Sequence, residues 1–413
     1  MQTCTPETAE LAIDIGEALL VNGAEIHRVE DTVSRICKSH GAAETEAFCI
    51  IKAMIVTVRF EDGTTYTSSR RIHATSNNYK RIAKLNALSR ALCSGDTTVD
   101  DARKSLTEIK SGTHCPIQKT LFGYILLASS CCMFFGGTVL DALMTIPCAL
   151  FMTAYSRLFG KLGANKMIYN FIACFLSGII VMLTALLGLD INVGRVITGS
   201  LMLLIPGITL SNSIEDLLMG DTTSGLLNIC ESLLAACAIA AGFALALKTV
   251  GISDIYGNMI TYNWVTMMIL SLISAFAYAM IGNASSTLFF FVSIAGALIY
   301  FVYHFVFLFS GNEFGSIFIA ASAATLYSRV CARFLKAPTP IFSTPAMIPL
   351  APGNALHLTI HHALKSDWNG MQHYFLKTLI ISFGIALGLM AVMFTWNLVQ
   401  NLISTLKQNK KAA

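Results

Sequence analysis

The sequence predicts a polytopic α-helical membrane protein with a small N-terminal α+β domain. Three observations predict it. Only 13% of the 413 residues are charged and 54% are hydrophobic, whereas a soluble protein carries about 25% charged residues. The charges crowd at one end, where residues 1–119 hold 15 of the 28 basic and 15 of the 24 acidic side chains. Beyond them runs a series of apolar stretches, each near the roughly 20 residues that a helix needs to cross ~30 Å of hydrocarbon. Together with a mean hydropathy of +0.64, this excludes a soluble multidomain enzyme, a disordered chain, a collagen-like chain and a disulfide-rich secreted module.

The head, residues 1–118, reads as follows. From Glu7 to His40 the period is helical, with Leu11, Ile15, Ala18 and Leu19 on one face and Val29, Val33 and Ile36 on another. Asn22-Gly23 interrupts the run and predicts two helices joined by a tight turn, with Gly41 as a C-terminal cap. A strand signal follows between Phe48 and Phe60. Asp62-Gly63 then predicts a type I′ hairpin turn, because both residue types tolerate positive φ, and Thr64 to Ser69 returns as the partner strand. The helical period resumes from Asn77 to Leu92 through Ile82, Leu85 and Leu88, and a short helix spans Asp100 to Lys110.

The most pointed polar segment of the head carries Glu25, Arg28, Glu30 and Asp31, with Glu17 upstream. Two readings stay open. One is a solvated helix face with ion pairs contributing about 0.3–0.5 kcal/mol each; the other is a polar site that binds a ligand or faces the membrane. His27, His40 and His73 are isolated and read as structural. The head has no G-x-S-x-G, Walker loop or G-x-G-x-x-G, so an enzyme has no nucleophile–base pair to start from.

About ten spans are expected in the rest of the chain, near 119–137, 139–158, 167–188, 192–210, 223–248, 261–281, 285–308, 313–334, 341–363 and 371–398. Those centred on Leu203 and Ile348 contain Pro-Gly and are candidates for broken helices. With ten spans both termini share a side. Arg157, Lys161, Lys166, Arg329, Arg333, Lys336, Lys407, Lys410 and Lys411 lie on that side, against Arg195, Lys248, Lys365 and Lys377 on the other. The excess of basic residues places the head and the C-terminus in the cytoplasm. They sit at loop ends rather than in one patch, so no nucleic-acid partner is expected. The first ten residues lack a basic region followed by an apolar core, so no cleaved signal peptide is expected.

An internal repeat is present. Residues 204–221 and 350–367 share seven of 18 positions at an offset of 146: Leu204/Leu350, Pro206/Pro352, Gly207/Gly353, Leu210/Leu356, Ile214/Ile360, Leu218/Leu364 and Asp221/Asp367. The same offset carries the first five spans onto the second five. Because five is odd, the two copies lie inverted in the membrane, giving domains at 1–118, 119–250 and 251–413. Inverted repeats with Pro/Gly-broken helices at matching positions point to a secondary transporter with a midplane site. Pro removes a backbone donor and breaks the helix, which frees half-helix ends for a polar substrate.

Ionisable residues inside spans are costly and mark candidate sites. Glu231 sits one turn after Asn228. Asp141 begins the second span and is a candidate cap. His304 lies in an aromatic run and reads as a packing residue. Asn212, Glu215 and Asp216 follow the first Pro-Gly. His357 and His361 have the i, i+4 spacing of zinc ligands, with His362 beside them, but no third ligand accompanies them, and neither metal nor cofactor is expected. The twelve cysteines include no C-x-x-C and read as small core residues.

Several segments carry a resemblance. Gly16 through Asn22-Gly23-Ala24-Glu25 and Arg28 to Thr32, then Asp62-Gly63, Arg70-Arg71-Ile72 and Leu85 to Arg90, resemble the opening of the threonine/serine exporter family. Leu204 to Asp216 with Gly220-Asp221 resembles the end of that family's larger module, and Pro349 to Gly353 the smaller second module. The chain is similar to a fused form of the two modules, which elsewhere are separate subunits, some resembling succinate exporter pairs. It departs from the family pattern at Asn354-Ala355 and in its histidine cluster. The resemblance implies an inner-membrane exporter of threonine, serine or short dicarboxylates driven by the proton gradient. Its partners are then the small-molecule substrate, protons and the lipid bilayer, with a homo-oligomer left open. On this expectation Pro206, Gly207, Asn212, Asp216, Pro352, Gly353 and Asn354 form the substrate site and Glu231 carries the proton. The competing readings are a dicarboxylate exporter, a passive channel, and a membrane-anchored enzyme with its chemistry at the head motif.

Overall fold

The computed structural model describes residues 4–412, apart from 51, 74–75, 113–114, 160–164, 187, 203 and 251–258. The chain divides into two compact units, Met1–Cys115 with Gly282–Ser286, and Pro116–Ile281 with Thr287–Ala413.

In the first unit α1 (Pro6–Val21) starts at Thr5, whose hydroxyl accepts the Thr8 N–H at 3.3 Å, with proline at its first position. Its apolar residues are buried on several faces, among them Leu11, Ile13, Ile15 and Leu19, which makes it the unit's central helix. Asn22-Gly23 turns the chain into α2 (Ile26–Ser39), which buries one face: Ile26, Val29, Thr32, Val33, Ile36 and Cys37. The strand signal between Phe48 and Phe60 divides into β1 (Glu44–Ile50) and β2 (Ala53–Arg59). With β3 (Thr65–Arg71) they form an antiparallel meander in the order β1-β2-β3. Met54, Val56 and Val58 of β2 are buried while Ile55 is exposed, the alternation of a sheet covered on one face. α3 (Tyr79–Ser94) is capped by Asn78 and α4 (Val99–Ser111) by Thr98. Residues 282–286 belong to this unit, with the Tyr79 N–H donating to the Gly282 carbonyl at 2.8 Å.

The hairpin turn differs from the expected type I′. Only Gly63 has positive φ (+81°), and Asp62 does not. The Gly63 N–H returns to the Phe60 carbonyl at 3.0 Å, and the Phe60 N–H pairs with the Thr64 carbonyl at 2.9 Å. This is the three-residue loop in which a left-handed glycine follows an ordinary turn. Asp62 keeps negative φ because its carboxylate folds onto the Thr64 N–H (2.9 Å) and hydroxyl (2.6 Å).

Among the described residues the elements of the second unit are helices: α5 (Ile117–Phe134), α6 (Val139–Met144), α7 (Ile146–Phe159), α8 (Lys166–Ala185), α9 (Val193–Leu201), α10 (Gly207–Met219), α11 (Thr222–Val250), α12 (Trp264–Ile281), α13 (Phe289–Ser310), α14 (Glu313–Phe334), α15 (Pro340–Met347), α16 (Gly353–Leu364) and α17 (Trp368–Ala412). Among the described residues eight segments are long and apolar enough to cross a membrane, α6 and α7 counting as one. The protein is a polytopic α-helical membrane protein.

Ten such helices were expected, and the missing two are the stretches at 192–210 and 341–363. The first is α9 and α10, meeting at Pro206-Gly207. The second is α15, a 3-10 turn (Ile348–Leu350) and α16, meeting at Pro352-Gly353. The cause is proline, which has no N–H to give and whose ring clashes with the preceding turn; Pro345 and Pro349 add to it in the second stretch. Leu203, the centre of the first expected span, lies outside the described residues.

Element bounds recur at the offset of 146 to within one residue. α9 and α10 begin at 193 and 207, α15 and α16 at 340 and 353; α11 begins at 222 and α17 at 368. The packing recurs too, since α8 lies on α11 as α14 lies on α17, and α5 on α9 as α12 on α15. One core gathers Val181, Val196, Ile197, Ile239 and Phe243. Another gathers Ala295, Ile317, Ala321, Met347, Ala355 and Ile385.

Candidate functional site

Both broken helices restart at the same kind of place. α10 begins after Pro206 and α16 after Pro352, and no side chain caps either start. The first bonds inside each helix run from Leu210 N–H to the Pro206 carbonyl (3.0 Å) and from Leu356 N–H to the Pro352 carbonyl (2.8 Å). N–H groups of a first turn have no carbonyl in their own helix. Each helix start also carries about half a positive charge from the aligned peptide dipoles.

The two starts abut. A Cβ placed on Gly207 would lie 2.7 Å from the Gly353 nitrogen and 3.0 Å from its Cα. Only glycine permits that approach. The junction is held by apolar side chains: Leu127, Cys131, Met202, Ala277, Ile348 and Ala351 form one buried cluster, and Leu210, Ala236 and Leu356 another. The Gly207 N–H turns back to the Ile205 carbonyl at 2.9 Å, and the remaining first-turn N–H groups of two helix starts in an apolar surround make an attractive place for an anion such as a carboxylate.

The expected substrate residues do not all meet there. Pro206, Gly207, Pro352, Gly353 and Asn354 gather at the junction. Asn354 Oδ1 is buried with no hydrogen-bond partner among the described residues. Asp216 lies nine residues along α10, about 13 Å from the junction at 1.5 Å per residue, and accepts from Asn228 Nδ2 of α11 at 3.4 Å. Glu231 follows Asn228 by one turn and is half-buried. Asn212 is exposed, on a different face of α10 from buried Ser211 and Ser213. The polar residues thus form two groups, the helix-start junction and an Asp216–Asn228 pair between α10 and α11, with Glu231 one turn further along α11.

Asp141 is fully buried and caps α6: its carboxylate takes the Thr138 N–H (2.7 Å) while Thr138 Oγ1 takes the Asp141 N–H (3.0 Å). Its other oxygen takes the Asn192 N–H at 2.7 Å, just before α9. His304 stacks between Trp264 and Tyr300, ring centroids 6.1 Å from each. His362 pairs with Asp367 at 2.7 Å and stacks on Tyr374. His357 is 3% exposed, with neither ring nitrogen partnered among the described residues. Among those residues no three His, Cys, Asp or Glu side chains are grouped to hold a metal.

The head motif makes local pairs. Glu25 lies 3.0 Å from Arg28 and 3.7 Å from His27, and Asp31 pairs with Arg35. Glu30 reaches further, taking the Cys49 N–H of β1 at 2.8 Å. Sequence reasoning missed Arg70, which faces Glu10, Asp14 and Glu17 of α1 at 3.9, 3.3 and 3.9 Å. The i, i+4, i+7 acidic spacing on α1 was the available signal. It also missed the burial of His357, for which the signal was its place one turn after Asn354.

Two family models match the chain, one described as "Putative threonine/serine exporter" over residues 10–250 and the other as "Threonine/Serine exporter, ThrE" over residues 267–395. A relative from Mycobacterium tuberculosis named "Probable threonine/serine exporter" is 22% identical over 248 residues, covering 60% of this chain and 47% of the relative. A "Threonine/serine exporter" from Corynebacterium glutamicum is 22% identical over 378 residues, covering 86% of this chain and 76% of that protein. The chain therefore spans about half the length of the first relative and about three quarters of the second. No solved structure matches significantly.

Proposed function

Because this chain belongs to the threonine/serine exporter family, we propose that it is a secondary transporter that exports threonine and serine from the cytoplasm. The observation that carries the reading is the meeting of two helix starts at Gly207 and Gly353. There the N–H groups of α10 and α16 bind the substrate carboxylate, as broken helices do at the midplane of other transporters. The unpartnered acceptor Asn354 Oδ1 fits the substrate ammonium. A dicarboxylate would bring a second acceptor to that oxygen instead of a donor, so the amino acid is the better fit.

Coupling is to protons, in antiport. Glu231 takes up the proton as the substrate leaves. Asp216, held by Asn228, and Asn212 serve the later path of the substrate rather than its first contact. The two halves, 119–250 and 251–413, form inverted five-segment repeats. Their support is the recurrence of element bounds at one offset together with the odd number of segments per copy. The chain sits in the plasma (inner) membrane with the domain 1–118 and the C-terminus in the cytoplasm, following its basic loop residues. The head collects substrate or gates its entry.

The experiment is a substrate panel. The purified chain in proteoliposomes releases trapped labelled threonine and serine faster than protein-free vesicles do, and faster than it releases succinate. Succinate release without threonine release overturns the reading.

A further inference from the structure

We propose that His357 reads the β-hydroxyl of the substrate and so sets the preference for hydroxy amino acids over their deoxy analogues. The inference rests on the exporter reading above and assigns a residue to its specificity.

His357 is 3% exposed, and neither Nδ1 nor Nε2 meets a hydrogen-bond partner among the described residues. A neutral imidazole carries one donor and one acceptor, and buried polar groups are ordinarily paired. The ring packs between aromatic neighbours: Phe243 of α11 lies 6.0 Å away and the His361 ring stacks at 6.2 Å, centroid to centroid. Apolar side chains line the same stretch, where Leu356 packs on Leu210 and Ala236.

Direction brings the ring to the junction. Helical side chains lean toward the helix N-terminus and cover the turn before their own Cα. His357 is in the fifth position of α16, so the turn it covers is Gly353–Asn354. On that placement one small region holds the acceptor Asn354 Oδ1, the imidazole and the first-turn N–H groups of α10 and α16, of which that of Gly207 already donates to the Ile205 carbonyl at 2.9 Å. A β-hydroxy-α-amino acid brings a carboxylate, an ammonium and a hydroxyl, and of these the hydroxyl can answer one ring nitrogen in either tautomer, accepting from its N–H or donating to its lone pair.

The related position in the first half sharpens the assignment. An offset of 146 takes His357 to Ser211, which is also buried (1% exposed). Its hydroxyl donates to the Gly207 carbonyl at 3.3 Å, so it is satisfied within its own helix. Of the two related half-helices only α16 presents an unmet side chain here, and the substrate lies toward that half.

The test compares threonine with 2-aminobutyrate, which has the same carbon skeleton without the hydroxyl. Both are trapped as labelled compounds in proteoliposomes of the full chain. A site built to bond a hydroxyl discriminates strongly against its absence, so the wild type favours threonine by at least about tenfold. His357→Phe keeps an aromatic ring against Phe243 but removes both polar atoms, and its preference falls to within about threefold of unity. His357→Gln restores a donor and an acceptor and recovers most of the preference. A wild-type ratio within about threefold of unity overturns the inference without any variant, and so does a His357→Phe protein that keeps the wild-type ratio. If the wild type releases neither compound, the exporter reading itself fails and the inference falls with it; threonine release with an unaltered ratio in the variant removes His357 alone.

Discussion

Gly207 and Gly353 stand so close that a Cβ on the first would lie 2.7 Å from the backbone nitrogen of the second. The two residues are related by the repeat offset, and each opens the helix that follows a proline. The membrane unit is built so that two helix starts can touch, and the absence of side chains at these positions is what allows it.

The contact is not symmetric in its tolerance. Gly207→Ala drives a methyl into backbone, which cannot yield, so the junction must part. Overpacking of this kind costs about 1–3 kcal/mol, and threonine efflux falls at least about tenfold. Gly353→Ala meets only the Ile205 Cγ2 at 3.1 Å, a side-chain atom that can shift, and its loss stays within about threefold. Efflux rates and melting temperatures of the two variants, purified in parallel, check the ordering; equal losses would contradict it.

Glu231 is the expected proton carrier, one turn beyond the Asn228 that holds Asp216. Glu231→Gln keeps the shape and removes the titration. Threonine efflux by this variant should no longer respond to an imposed pH gradient, at protein levels equal to wild type. Persistent gradient dependence would move the coupling residue elsewhere.

Asp141 ties the start of α6 to the segment before α9 through two 2.7 Å bonds from backbone N–H groups. Asp141→Ala leaves both donors without their carboxylate. Hydrogen bonds to a charged group contribute about 1.5–3 kcal/mol each and are partly offset by desolvation, so the variant loses about 2–4 kcal/mol. Thermal unfolding in detergent measures it, and a loss under about 1 kcal/mol would show that water replaces the carboxylate.

In the head, burial pushes the Cys49 thiol up to about 12, and the nearby Glu30 carboxylate adds to the shift. The group stays neutral at pH 8, where an ordinary thiol with a value of about 8.5 is partly ionised. Maleimide labelling of the folded chain, mapped by peptide mass, should leave Cys49 unlabelled at pH 8. Glu30→Ala removes both the carboxylate and the acceptor of the Cys49 N–H. Its labelling at pH 8 then rises and the head loses about 1–2 kcal/mol.

Much of this was legible from residue order. Asn22-Gly23 and Asp62-Gly63 marked their turns because the local backbone demands of those dipeptides outweigh tertiary context. The type of the second turn was not legible, because it depends on the Asp62 carboxylate folding onto Thr64, a choice that spacing does not encode. Apolar length alone counted ten spans. Pro206 and Pro352 divide the two that their Pro-Gly pairs marked as candidates for broken helices, a break that apolar length by itself does not register. The Pro-Gly pairs announced themselves through the repeat, but not that Gly207 and Gly353 touch, which is a fact of packing between segments 146 residues apart. His357 read as one of three clustered histidines, since spacing shows which face a residue shares and not whether anything answers its nitrogens. Asn212 sits among site residues in sequence yet is exposed, because α10 turns it to a different face from Ser211 and Ser213.

The most direct measurement is labelled threonine release from proteoliposomes containing wild type or Gly207→Ala, with and without an imposed pH gradient. The account predicts rapid release by the wild type that the gradient accelerates, and release by Gly207→Ala reduced at least about tenfold under both conditions. Wild-type release no faster than from protein-free vesicles, or equal release by the variant, would contradict the claim that threonine passes through the junction of the two half-helices.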